Sequence, residues 1–257
     1  EDGIVERFPT GGLKTTWSTP VNGGFSGPAV ADGRVFVIDF EFLQETRVMD
    51  GTERVLALDE MTGEILWTHE WPTEYRNLQL SYATGPRATP TVDGDYVYVA
   101  GGAGMLLCLE VDTGEVVWQR DTVAEYDTTV PVWGTSSSPL VDGDLAITVV
   151  GGEPDALVVA FNKRTGDEVW RAIDVVSEMG YAQPVIIQAG GVRQLIVWHP
   201  TAVSSLNPET GEIYWEEPWE APSAITVATP VRSENYLFFS QFYGGSLMLR
   251  LDNDRPE

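Results

Sequence analysis

The sequence predicts an all-β protein, a β-propeller of four-stranded antiparallel blades, on the strength of two recurring phrases and their spacing. The first phrase is Leu109-Glu110-Val111-Asp112-Thr113-Gly114-Glu115-Val116-Val117-Trp118, a strand, a tight turn on Thr-Gly and a second strand closed by tryptophan. It recurs at Leu58–Trp67, Phe161–Trp170 and Leu206–Trp215, so that Trp67, Trp118, Trp170 and Trp215 lie 51, 52 and 45 residues apart. The second phrase precedes it: Pro28-Ala29-Val30-Ala31-Asp32-Gly33, Pro90-Thr91-Val92-Asp93-Gly94 and Pro139-Leu140-Val141-Asp142-Gly143 each run into an alternating apolar strand. Asp-Gly between alternating runs is the strongest short hairpin signal, and a repeat of this length with four strands marks a propeller.

In order, each blade reads as strand a, an Asp-Gly turn, strand b, a loop, strand c, a Thr-Gly turn, and strand d ending in tryptophan. Residues 1–12 form an irregular lead-in, and Leu13-Lys14-Thr15-Thr16-Trp17 has the character of an isolated strand d, with Trp17 standing 50 residues before Trp67. Blades are expected at 25–70, 86–120, 135–172, 181–217 and 226–251, all in one domain spanning 1–257. Blade one carries a long b–c insertion from Asp39 to Glu53. Degenerate second phrases open the last two blades at Pro184 and Pro230. The fifth unit reaches strand c at Leu247-Met248-Leu249-Arg250-Leu251 without a closing tryptophan. Strand 13–17 is expected to pair with 247–251 and close about five blades, because sheets gain by leaving no open edge. A strand-exchanged dimer would satisfy the same edge, and a piece of a larger propeller is the competing expectation.

These phrases resemble the PQQ-like β-propeller repeat, with its x-Asp-x-x-Thr-Gly-x-x-x-Trp hallmark, from about Trp17 to Leu251. The resemblance implies a tryptophan-docking role for Trp17, Trp67, Trp118, Trp170 and Trp215. Its relatives include quinoprotein dehydrogenases and the propeller lipoprotein of the outer-membrane β-barrel assembly machinery, which implies a periplasmic or secreted location. Quinoprotein enzymes resemble one another in an adjacent-cysteine disulfide and a calcium site. This chain has a single cysteine, Cys108, and no counterpart of that site. No cofactor is therefore expected, PQQ least of all, while a channel metal ion stays open as an alternative.

Composition narrows the partners. Lys+Arg of 15 against Asp+Glu of 39 gives a net charge of −24, a surface that repels nucleic acid and anionic membranes. No run approaches a membrane-spanning length, so direct insertion is not expected. One cysteine on an apolar strand excludes an intrachain disulfide and reads as a buried, inert thiol.

The a–b and c–d turns share one face and are short. The opposite face, built from b–c loops and d–a connections, carries the unusual segments: His69-Glu70-Trp71, Tyr75-Arg76, Tyr82, Arg87, Tyr126-Asp127, Trp133, Glu178–Tyr181, Trp198-His199, Trp219 and Gln241-Phe242-Tyr243. Binding residues concentrate on loops held by a rigid scaffold. Arg87, Trp133, Tyr181, Trp198, His199 and Tyr243 are the candidate binding residues, with Arg87, Trp133, Tyr181, His199 and Tyr243 expected to line one end of the channel. His199 is the candidate for proton transfer. No Gly-x-Ser-x-Gly elbow, metal spacing or phosphate loop accompanies them. The function expected is a non-catalytic binding or scaffold module for a protein, peptide or glycan. The alternative is a hydrolase or other enzyme whose channel-mouth site takes one residue from each blade.

Overall fold

The computed structural model describes residues 7–43, 50–75, 78, 84–174 and 178–252. Blade one comprises β1 (Ala29–Ala31), β2 (Arg34–Phe42), β3 (Asp50–Asp59) and β4 (Ile65–Glu74). Blade two comprises β5 (Thr91–Asp93), β6 (Tyr96–Ala100), β7 (Met105–Glu110) and β8 (Val116–Asp121). Blade three follows a short helix α1 (Thr122–Tyr126) and holds β9 (Leu140–Asp142), β10 (Leu145–Gly152), β11 (Ala156–Asn162) and β12 (Glu168–Ala172). Blade four holds β13 (Val185–Ala189), β14 (Val192–His199), β15 (Ala202–Leu206) and β16 (Ile213–Pro218), and blade five β17 (Val231–Ser233), β18 (Tyr236–Ser240) and β19 (Ser246–Arg250). Every sheet is an antiparallel meander in chain order, as the repeat phrases require. The first strands are innermost, since β1 touches β5 and β5 touches β9.

The core lies between blades rather than within them. Phe36, Ile38, Val55 and Ala57 of blade one pack on Val97, Val99, Leu107 and Leu109 of blade two. Tyr98, Leu106 and Cys108 meet Ala146, Val159 and Phe161. Ile147 and Val158 meet Leu195, Val197 and Leu206, and Ile196 and Val203 meet Leu237 and Phe239. Strands b and c are thus covered on both faces, which is why they read as near-continuous apolar runs. Burial pushes the Cys108 thiol up to about 12, in keeping with an inert packing residue.

The first phrase is explained by one contact repeated around the ring. The indole Nε1 of Trp17, Trp67, Trp118 and Trp170 donates to the carbonyls of Glu60, Val111, Lys163 and Pro208, at 2.8, 2.8, 2.9 and 3.1 Å. Each acceptor stands three residues before the turn glycine of the following blade. Those glycines, Gly63, Gly114, Gly166 and Gly211, have φ of +73 to +74° and lie flat beneath the same indoles. A Cβ on Gly166 would sit 2.7 Å from Trp118 Cδ2. Glycine is therefore required twice, for its backbone and for the ring above it. The leading Asp or Asn shapes the turn: Asp59 Oδ1 accepts from the Met61 and Thr62 amides and the Thr62 hydroxyl at 2.8–3.0 Å, and Asn162 Oδ1 from the Arg164 and Thr165 amides. Trp118 and Trp170 are each 7% exposed, whereas Trp17, Trp67 and Trp215 are half-buried. Trp215 departs from the pattern, donating to Gln194 Oε1 of its own blade at 3.1 Å.

The expected closure is not observed. Residues 13–17 form no strand, and among the described residues β19 pairs with β18 alone, leaving blade five three-stranded. The physical reason lies in the segment itself. Leu13 is its one aliphatic residue and is exposed, so there is no apolar face to reward pairing. Trp17 instead packs on Val35, Leu56 and Leu58 of blade one, fixed by its bond to Glu60.

Candidate binding site at the propeller axis

Five connections enter their innermost strands from the same face, and each places one residue at the same phase. Phe25, Arg87, Ser136, Tyr181 and Val227 stand three positions before Pro28, Pro90, Pro139, Pro184 and Pro230. All five line a single cavity of about 650 Å³, together with Trp133, Ile225, Phe242 and Tyr243. The site is therefore a ring of one residue per blade, rimmed by aromatic side chains.

Its geometry is fixed by bonds between neighbouring connections. Arg87 Nε donates to the Trp133 carbonyl at 2.7 Å, and its guanidinium carbon lies 5.6 Å from the Phe25 ring centre and 5.7 Å from that of Trp133. These are cation–π distances. The Tyr181 amide bonds to the carbonyl and hydroxyl of buried Thr226, both at 3.1 Å, locking the approach to blade four onto that of blade five. The Thr135 amide reaches the Gly102 carbonyl of blade two at 2.9 Å. The rim is open to solvent: Phe242 is 78% exposed, and Phe25, Val227 and Tyr243 exceed half.

Electrostatically the cavity is the inverse of the molecule. In a chain of net charge −24, Arg87 is the one charged side chain lining it among the described residues, with the Glu178 carboxylate accepting from the Tyr181 phenol at 3.4 Å. Burial pushes the Arg87 guanidinium down from its ordinary value, partly offset by the Tyr75 and Tyr181 phenols. It still carries its charge at neutral pH. Polarity is graded around the ring: Arg87, Ser136 and the Tyr181 phenol occupy blades two to four, while Ile225, Val227, Phe242 and Phe25 occupy blades five and one.

Arg87, Trp133, Tyr181 and Tyr243 share this cavity, and His199 does not. His199 closes β14 and is buried. Its Nε2 lies 2.9 Å from Ser204 Oγ and its Nδ1 3.2 Å from Thr201 Oγ1, while Ser204 donates to Glu216 Oε2 at 2.9 Å. The three residue types of a hydrolytic triad are present in the wrong order. The acid holds the serine rather than orienting the imidazole, and Ser204 is fully buried. Burial holds the His199 imidazole below its ordinary value, with Glu216 opposing. Trp198 also lies away from the cavity, stacked on Trp219 at 5.4 Å and edge-on to Phe239 at 5.7 Å, as packing between blades four and five. His69 sits half-buried on the outer strand β4, 6.1 Å from the Trp71 ring. Arg76 and Tyr82 lie outside the described residues.

Sequence reasoning missed Phe25, Ser136, Ile225, Val227 and Phe242 as lining residues. The signal that finds three of them is the offset from the repeat proline, which is blind to residue type. A second buried feature, also unforeseen, lies where blades one and two meet. Glu53 of β3 is fully buried and accepts from the Tyr75 hydroxyl, from the Gly102 amide at 2.7 Å and from the Thr73 hydroxyl at 3.3 Å. Burial raises its carboxyl above the ordinary carboxylate range against those lowering bonds. Among the described residues no group of three His, Cys, Asp or Glu could hold a metal ion, and no helix is long and apolar enough to cross a membrane.

Fold and site together define a PQQ-like β-propeller whose axial face carries an open, aromatic-rimmed cavity with one cation among the described residues. The family profile described as outer membrane protein assembly factor BamB matches residues 10–82 and 51–257, and the chain belongs to that family. It is 30% identical over 220 residues to outer membrane protein assembly factor BamB of Burkholderia pseudomallei, covering 83% of this chain and 49% of that protein. The quinoprotein alcohol dehydrogenase PedH of Pseudomonas putida is 27% identical over 147 residues, 52% of this chain and 23% of the enzyme. The chain thus spans about half or less of these curated relatives. The crystal structure of BamB from Moraxella catarrhalis superposes with a TM-score of 0.58 at 17% identity, covering 93% of this chain and 70% of that one. A europium-containing methanol dehydrogenase superposes at 0.65 with 15% identity, over 93% and 51%. Both likenesses concern the fold.

Proposed function

We propose that this chain is a non-catalytic binding module that engages a protein partner through the axial face formed by its d–a connections and b–c turns. The observation that carries the proposal is the composition of the axial cavity: among the described residues Phe25, Val227, Phe242 and Tyr243, all exposed and contributed by blades one and five, gather with Trp133 and Tyr181 around one arginine. Exposed apolar surface gathered in one place marks an interaction site, and aromatic residues with arginine are the enriched anchors of protein interfaces. Among the described residues of the cavity wall, none is arranged for acid–base or nucleophilic work. The Ser136 hydroxyl contacts the Gly134 carbonyl at 3.3 Å and no base. The BamB-named relatives, assembly factors by their names, support a role in assembly over one in redox chemistry. The same kinship supports a periplasmic or secreted location, as a proposal.

The test compares the two ends of the propeller. A photo-crosslinking residue at position 243, on the axial face, is expected to capture a discrete protein partner in cells. The same residue at position 112, in the c–d turn of blade two, is expected not to, and Tyr243→Ala with Phe242→Ala should abolish partner binding without changing the unfolding midpoint. Crosslinking from position 112 with an inert axial face would overturn the assignment. Turnover of ester or glycoside substrates that is lost on Arg87 or Tyr181 substitution would move the chain to the enzyme alternative.

A further inference from the structure

The polarity gradient around the axial cavity specifies what kind of segment fits it. Arg87 matters most because it combines partial burial with the lack of a carboxylate partner. Of the other basic side chains among the described residues, Arg7, Lys14, Arg164, Arg232 and Arg250 also lack an ion pair, and all five are exposed. Arg34, Arg54, Arg120, Lys163, Arg171 and Arg193 are paired with Asp112, Asp39, Glu125, Asp93, Glu168 and Asp142. Arg87 is half-buried, yet among the described residues it meets a backbone carbonyl and two aromatic rings and no carboxylate. Only Nε is used by that carbonyl, which leaves the two terminal nitrogens of the fork. A partly desolvated cation held between ring faces, with its carboxylate-binding edge uncommitted, is a preorganised anion receptor. The Ser136 hydroxyl flanks it on the neighbouring blade, while the Tyr181 phenol of blade four donates to Glu178 Oε2 at 3.4 Å. A single positive charge among the described lining residues suits a monoanion. Across the cavity Val227, Ile225 and Phe242 offer apolar surface that a charged head alone would not use, and Phe25 lies against Arg87 itself.

Resting on the binding-module reading above, we propose that the axial cavity receives a peptide segment of the partner carrying one carboxylate side chain beside bulky apolar residues. The acid lies on Arg87 and Ser136, and the apolar neighbour lies across Val227 and Phe242. A polypeptide is favoured over a small free acid because the apolar residues stand largely exposed on the rim rather than enclosing a closed pocket, so a ligand must extend across them. The overall negative charge of the chain makes the preference local: acidic segments without apolar neighbours are repelled, and only those that bury side chains on the rim are retained.

Selection from a random heptapeptide library against the whole chain tests this without prior choice of ligand. Enriched peptides are expected to hold Asp or Glu within two positions of Phe, Trp, Leu or Ile. A synthesised enriched peptide should lose at least tenfold in Kd when its acid becomes the amide. Arg87→Gln should cause a similar loss with the parent peptide and little further loss with the amide peptide, the coupling expected of a direct pair. Because Arg87 also holds the Trp133 carbonyl, Ser136→Asp serves as a second variant. It leaves Arg87 in place, supplies an internal carboxylate, and should likewise weaken the acidic peptide tenfold or more. Enrichment of peptides without an acid, or equal affinity of acid and amide peptides, would overturn the carboxylate while leaving the binding module standing. Phenylacetate displacing the peptide at the peptide's own concentration range would assign the site to a free acid and overturn the peptide. No enrichment at all, with Phe242→Ala and Tyr243→Ala leaving partner capture unchanged, would overturn both readings.

Discussion

Trp118→Ala probes the contact that the repeat phrase encodes. The indole is 7% exposed, lies over Gly166, and packs with ring centres 6.1 Å from Tyr98 and 6.2 Å from Phe161. Removing a buried aromatic costs about 3–5 kcal/mol through lost transfer energy and the cavity left behind. No large additional cost arises from the Lys163 carbonyl, because Tyr98 Oη also donates to it, at 3.1 Å, and that acceptor stays paired. The expected loss thus remains within about 3–5 kcal/mol. It would lower the urea midpoint by roughly 1–1.7 M at a slope of about 3 kcal/mol/M. Trp118→Phe keeps most of the ring and loses one hydrogen bond, so about 1 kcal/mol is expected beyond the smaller packing loss. Trp215→Ala is the internal control. Trp215 occupies the same phase but is half-buried and bonded within its own blade, so about half the Trp118 cost is expected. Urea unfolding followed by tyrosine and remaining tryptophan signals, with far-ultraviolet circular dichroism as a second probe, measures all three. A Trp118→Ala midpoint within experimental scatter of the parent, or equal losses for Trp118 and Trp215, would refute the inter-blade explanation of the repeat.

Other expectations follow from the same geometry. Gly166→Ala places a Cβ against Trp118 at φ +73°, whereas Gly94→Ala at φ +57° meets nothing within 4 Å. The first should cost clearly more than the roughly 1–2 kcal/mol of left-handed backbone strain expected of the second, and equal melting shifts would contradict the stacking. Glu53 has a folded-state value above its ordinary one, so the folded state keeps its proton when the unfolded state has lost it. Stability should fall as pH rises from the ordinary carboxylate value through the raised one, by about 1.4 kcal/mol per pH unit within that window. Glu53→Gln should abolish that slope, and a parallel pH profile for parent and variant would show that the buried carboxyl is not perturbed. Arg193→Ala removes an exposed ion pair with Asp142 and should cost under about 1 kcal/mol; a larger midpoint shift would give that bridge a structural role. His199→Gln is expected to leave peptide binding at the axial face unchanged in titration, since His199 is buried apart from the cavity.

The sequence by itself determined the blade, because everything in it is local. Alternation in Tyr96–Val99, the Asp-Gly turns and the Asx-capped Thr-Gly turns are set by residues within a few positions of one another. Four tryptophans in one phase likewise specified a repeated neighbour. Which atom each indole meets was not legible, since Lys163 lies 45 residues beyond Trp118 and is supplied by the next blade. The candidate site divided along the same line. Arg87, Trp133, Tyr181 and Tyr243 could be chosen as unusual residues on the loop face, but so could Trp198 and His199, which share that character and are buried as core. Convergence separates these groups, since Tyr181 is itself only 8% exposed, and it comes from how five connections are set around one axis. The closure expected for residues 13–17 failed for a related reason. Trp17 stands in phase with the later tryptophans, yet strand pairing needs an apolar face that Lys14-Thr15-Thr16 does not supply. One indole fitted over Gly63, with its N–H on a carbonyl, was enough to fix the segment on blade one instead.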